Sequence, residues 1–196
     1  MSKLQANAEV ETHALFQCRW SPRAFDAGKA VSKQDVLRCL EAARWAPSCF
    51  GEEPWRFVVC YRQEDEQGWQ RLLSCLAPKN QEWAKFAPVL LAICSKSVFS
   101  HNGNPNRWSE YDAGQAAVSL CLQATSLGLA THQMGGFDGE ALSEKFAIPS
   151  EVVPMAVIAL GYQGDVQTLE EGFQASELSP RSRKPLSEII HYGGES

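Results

Sequence analysis

The stretch between residues 110 and 127 constrains this chain most. Ala113, Ala116, Ala117, Leu120, Ala124 and Leu127 recur on a single helical face, and Gly128 follows as a stop. A face built mostly of alanine lets another helix approach it closely.

The other elements are read from their relation to it. Ser32 and Asp35 form an S-x-x-D capping box opening a helix whose Val36, Leu37, Leu40 and Ala43 share a face before Pro47 ends it. Residues 55–61 (WRFVVCY) and 88–94 (PVLLAIC) predict buried strands, with an amphipathic helix outlined between them by Trp69, Leu72, Leu73 and Leu76. A short strand is expected over 131–134, a helix capped by Asp138 and running to Phe146, and a last strand over 153–160 closed by Gly161. Helices and strands alternate without a βαβ series, which predicts an α+β fold. Residues 1–164 are expected to form one domain. From about Asp165 the chain is polar, with only Leu186, Ile189 and Ile190 to bury, so 165–196 is expected to fray or to wrap another surface.

Composition narrows the class. The 196 residues suffice for a core without staples, and a formal net charge of -5 argues against phosphate-driven nucleic-acid binding or adhesion to an anionic membrane. The N-terminus lacks the basic and apolar regions of a signal peptide, and the apolar runs are too short to span a bilayer. Seven cysteines stand singly with no C-x-x-C pair, which predicts reduced core thiols, a cytoplasmic setting and no metal site.

Four constellations could carry chemistry. Arg19-x-Ser21-x-Arg23, around Trp20, puts two guanidiniums and a hydroxyl within reach of one phosphate, although a solvated basic turn has the same composition. The loop at Pro47, Ser48, Cys49 and Gly51 joins a helix end to a strand beside aromatic residues, which suits a planar polar ligand, although loops of this composition are usually plain connections. Gly135 and Gly136 either admit a ligand against the backbone or serve a turn of positive φ. Arg181-x-Arg183 is a second basic run near the C-terminus. The histidines have no metal-ligand spacing, so His132 is expected to be structural.

Taken together, the segments RWSPRAF, AARWAPSCFGEEPWRF, YDAGQAAVSLCLQATSLGLATHQMGGFD, VPMAVIALGY and RSRKPLSEII resemble the FMN-binding nitroreductase family, over nearly the whole chain. The resemblance implies a three-layer α-β-α fold, an intertwined homodimer and a C-terminal extension that embraces the partner. It implies that Arg19, Ser21, Arg181 and Arg183 hold the FMN phosphate, with Trp20 beside them, and that Arg23 lies near the flavin pyrimidine. Asn80 matches an asparagine on the pyrimidine edge. Gly135 and Gly136 match the pair whose amides approach N5 and O4, and Pro47, Ser48, Cys49 and Gly51 match a loop that reaches the other subunit's flavin. The chain departs from the family where Gly51 and Glu53 replace an Asn-x-Gln pattern. It departs again where Trp83 replaces a lysine, and where Cys49 replaces a serine as a small space-filling side chain.

The implied activity is ping-pong transfer of electrons from NAD(P)H through FMN to an electron-poor acceptor such as a nitroaromatic, a quinone or an activated alkene. No side chain stands out as acid or base, because the flavin carries the chemistry. A dehalogenase-like reaction on the same fold, or a flavin-binding redox protein without turnover, remains the alternative. Residues 97–109 are the cap expected to decide among them.

Overall fold

The computed structural model describes residues 8–194; most of the N-terminal stretch read for a signal peptide lies outside this range. Four strands form one antiparallel sheet in the order β1-β2-β4-β3, with β1 at Trp55–Tyr61, β2 at Val89–Lys96, β3 at Ala130–Met134 and β4 at Val152–Gly161. The central strands are buried on both faces and divide their side chains by the two-residue period of a strand. Leu90, Ala92, Val157 and Ala159 enter one core, while Val89, Leu91, Ile93, Ile158 and Leu160 enter another. The β2–β4 register shifts between Ile93 and Cys94, where the facing strand carries Pro154. Proline has no N–H to give the ladder, and a local irregularity absorbs the missing donor.

Seven α-helices surround the sheet among the described residues. They are α1 (Ala14–Cys18), α2 (Lys33–Arg44), α3 (Glu66–Leu73), α4 (Pro78–Ala84), α5 (Ser109–Ser126), α6 (Gly139–Lys145) and α7 (Glu171–Leu178). The Ser32 and Asp138 caps form as expected, each side chain accepting from the backbone N–H three residues on, Asp35 and Ala141. Gly128 follows α5 at a φ of 74°, the left-handed region where glycine is favoured. The alanine face of α5 is buried against α2 and the sheet. The close approach it allows is therefore satisfied inside the chain, while a second stripe of α5, Tyr111, Gly114 and Val118, is exposed.

Three expectations need correction. Leu37 lies outside the buried face of α2, which is made by Val36, Cys39 and Ala43; at about 100° per residue Leu37 falls well to one side of the stripe those three define, and it is exposed. Strand β1 is an edge strand, with only Trp55 and Cys60 fully buried. The polar tail neither lacks structure nor leaves the body at residue 165. It forms α7 and returns to the N-terminal segment through Glu177 and Arg181.

Candidate functional site

Residues 19–26, which follow α1, form an irregular strap whose backbone is held from several directions. Its far end is fixed beside β4, where Gly164 N–H donates to Ala24 O and Asp26 N–H donates to Tyr162 O, both at 2.9 Å. Gly164 has to be glycine, because a Cβ there would lie 2.6 Å from the Phe25 carbonyl carbon. The His132 ring reaches the strap from β3, its Nδ1 2.9 Å from Pro22 O. Burial, followed by the nearby Arg23 and Arg19 charges, lowers the His132 pKa to about 4, against the pull of the Pro22 carbonyl. A neutral imidazole paired with a carbonyl donates through Nδ1–H. The structural role expected of this histidine is the one it fills.

The tail supplies the remaining ties. Arg181 donates from Nη1 to Arg19 O at 2.7 Å and from Nη2 to Gln17 O. The Glu177 carboxylate, 5% exposed, accepts from Arg23 N–H at 2.9 and 3.1 Å and from Ala24 N–H at 3.1 Å. With the backbone so engaged, the side chains are free to face outward. Arg19, Trp20, Ser21, Arg23, Arg181 and Arg183 line a recess of about 200 Å³ together with Ser176 and Ser179. Arg19 Nη1 lies 3.3 Å from Ser21 Oγ, and the Arg23 guanidinium sits 5.8 Å from the centre of the Phe173 ring. Burial first, and then the charges of Arg19 and Arg183, push the Arg181 pKa below its ordinary value. Guanidiniums gathered around a shared recess are residues that could hold an anion.

Asn80 and the glycine pair meet through the backbone of Gly136. Asn80 Nδ2 donates to Gly136 O at 3.0 Å, as does Ala77 N–H at 2.9 Å. A Cβ on Gly136 would fall 2.9 Å from Asn80 Nδ2, whereas one on Gly135 would meet nothing within 4 Å. Neither glycine has a positive φ. The turn explanation therefore lapses, leaving a close side-chain approach at Gly136 and open space at Gly135. Trp83 of α4 packs 4.5 Å from the His132 ring and 6.2 Å from Phe25. Trp83 and Phe25 are buried in the core, so these rings pack the strap and α4 against the sheet from inside.

The loop of Pro47, Ser48, Cys49 and Gly51 stands elsewhere. Cys49 N–H donates to the buried Asp112 carboxylate of α5 at 3.0 Å, and Glu53 N–H donates to Ser48 Oγ at 3.0 Å. Glu52 accepts from Ser100 N–H at 2.7 Å, tying the loop to the 97–109 segment. Phe50, Gly51 and Glu53 have φ of 56°, 67° and 49°. Two non-glycine residues held in the left-handed region are strain that the surrounding hydrogen bonds must maintain. Phe50, 87% exposed, is displayed by this loop beside Phe99 and His101, with ring centres 6.0 and 6.3 Å away.

Sequence reasoning missed Glu177. One glutamate in a polar helix carries no local signal, and its partners lie 154 and 153 positions away.

The fold superposes on a crystal structure described as an oxidoreductase containing FMN, with a TM-score of 0.91 and 35% identity over 100% of this chain and 99% of that one. A nitroreductase family protein from Clostridium difficile 630 matches at a TM-score of 0.71 and 26% identity, over 95% and 100% of the two chains. The major NAD(P)H-flavin oxidoreductase of Aliivibrio fischeri is 22% identical over 210 residues, covering 88% of this chain and 94% of that protein. The profile of the Nitroreductase family matches residues 17–162. The chain belongs to the nitroreductase family.

Proposed function

We propose that this protein is an FMN-dependent oxidoreductase moving electrons from NADPH or NADH to a small electron-poor acceptor, a nitroaromatic, a quinone or an activated alkene. The convergence of Arg19, Ser21, Arg23, Arg181 and Arg183 on one recess carries this reading. Segments 158 or more positions apart bring their cations together there, which folding alone does not require and a terminal phosphate does.

The residues fit the cofactor. Arg19, Ser21 and Arg183 would hold the phosphate directly. Arg181, whose terminal nitrogens are engaged by Gln17 O and Arg19 O, would add charge and hold the strap. Asn80 gives its Nδ2 to Gly136 O, which leaves Oδ1 to accept from the pyrimidine edge. Arg23 would set positive charge near that end, and the main chain at Gly135 and Gly136 would lie against the ring. FMN bound there supplies two-electron transfer between nicotinamide and acceptor. Gly135 borders open space, and both substrates are expected to take turns on that side. Initial-rate plots at several acceptor concentrations should therefore be parallel. Intersecting lines would require both substrates to be bound at once, and would overturn this sharing of one face.

A three-layer, intertwined homodimer belongs to the same proposal, with residues 165–196 as an extension that also embraces the partner. It is supported by the large apolar side chains left exposed on α2, α5 and the loop between α2 and β1: Trp45 at 74%, Tyr111 at 67%, Phe50 at 87%. In that dimer the strained 47–53 loop would serve the neighbouring subunit's flavin. Light scattering should give a dimeric mass that does not change across the micromolar range. A monomer that keeps full FMN occupancy would refute it. A cytoplasmic setting is also proposed. Burial pushes the Cys39, Cys60 and Cys94 thiols up to about 12, 11 and 11, which keeps them inert in the core.

A further inference from the structure

We infer that Glu177 is a positioning residue for the anion site: its carboxylate sets the backbone of the 19–24 strap so that Arg19, Ser21 and Arg23 face the recess. The inference rests on the reading of that recess as a phosphate site. It adds a carboxylate to a cluster otherwise made of cations.

The case begins with burial. A carboxylate is rarely buried unless its oxygens are hydrogen-bonded, and Glu177 is 5% exposed on a helix that is otherwise polar and largely accessible. Its partners are two consecutive main-chain donors, Arg23 N–H and Ala24 N–H, with Oε1 accepting from both at 2.9 and 3.1 Å. Those donors lie where the strap leaves its ladder beside β4, and a change of backbone direction there would redirect every side chain before it. Glu177 and Arg181 act as a pair from one short stretch of tail. The first takes the N–H groups of residues 23 and 24, the second the carbonyls of residues 17 and 19. Between them they engage the strap's backbone, leaving its side chains to the ligand. A carboxylate among four guanidiniums would be expected to weaken an anion site by simple attraction. Its place on the backbone, with no ion pair to Arg19 or Arg183 among the described residues, gives it a geometric job instead.

Geometry and charge are separable by substitution. Glu177→Gln keeps an oxygen able to accept from both N–H groups and removes the negative charge. Glu177→Ala removes the acceptor altogether. Apo-protein would be titrated with FMN and, separately, with riboflavin, which has the same ring and no phosphate. The parent should prefer FMN. Glu177→Ala should lose FMN affinity by about tenfold or more and riboflavin affinity by distinctly less, since of the strap's side chains only Arg23 is assigned to the ring. Glu177→Gln should bind FMN at least as tightly as the parent. The inference is overturned if Glu177→Gln loses FMN as badly as Glu177→Ala, if neither variant changes, or if FMN and riboflavin weaken by the same factor. A parent with no preference for FMN over riboflavin would refute the phosphate reading itself, and the inference with it.

Discussion

FMN affinity should fall by about two to four orders of magnitude when Arg19 and Arg183 are both replaced by alanine. Each guanidinium offers a charge-assisted hydrogen bond to the phosphate worth about 1.5–3 kcal/mol. Equilibrium titration of the apo variant measures the loss, and riboflavin provides the phosphate-free control. A second signature accompanies it. The charges of Arg19 and Arg183 help hold the Arg181 pKa below its ordinary value, so without ligand the cations oppose one another. Removing two of them should raise the unfolding temperature of the apo-protein even as cofactor binding collapses. An apo variant that melts lower, with FMN affinity kept, would mean that these arginines serve the fold and not an anion.

Acid should destabilise the protein through His132. In the unfolded chain an imidazole takes up its proton near pH 6.5; in the folded chain His132 stays neutral down to about pH 4, chiefly because it is buried. Between those values the unfolded state binds more protons, so stability falls as pH drops from 6.5 towards 4, by about 3 kcal/mol across the window. Urea midpoints at pH 7 and pH 4.5 should diverge in the parent. They should diverge much less in His132→Gln, whose amide can still donate to Pro22 O. The strap should loosen only towards pH 4, where the ring beside Trp83 takes up its proton in the folded chain. An identical pH dependence in parent and variant would place the acid sensitivity elsewhere.

Much of this fold was legible because its signals are local. The short apolar runs of β2 and β4, the caps at Ser32 and Asp138 and the small-residue face of α5 each follow from residues a few positions apart. Two other features were not legible. Helix α4 begins at Pro78 and buries only Trp83 and Ala84, too few apolar residues to mark a period. The buried face of α2 was misassigned by one residue because Leu37 looks more like core than Cys39, and burial there is settled by where α5 lies.

The site divides along the same line. Arg19, Trp20, Ser21 and Arg23 were legible as a cluster, and Arg181 and Arg183 as another, but their meeting was implied only by the family resemblance. What no local pattern could indicate is the division of labour within the cluster. Arg181 looks equivalent to Arg183 in sequence, yet its terminal nitrogens sit on two main-chain carbonyls. Arg183 donates within the tail, to Ser182 O, and is exposed.

The long reach of the Glu177 and Arg181 contacts, 153 to 164 positions, has a consequence for biosynthesis. Ribosomes release a chain from its N-terminus, so the strap emerges early and waits for partners that are translated last. A nascent chain halted before residue 177 would carry Arg19, Ser21 and Arg23 but could not orient them. Flavin capture would then be a late event, coming after the sheet has closed. Truncated products would stay colourless, and the yellow of the bound cofactor would report that synthesis had passed the tail.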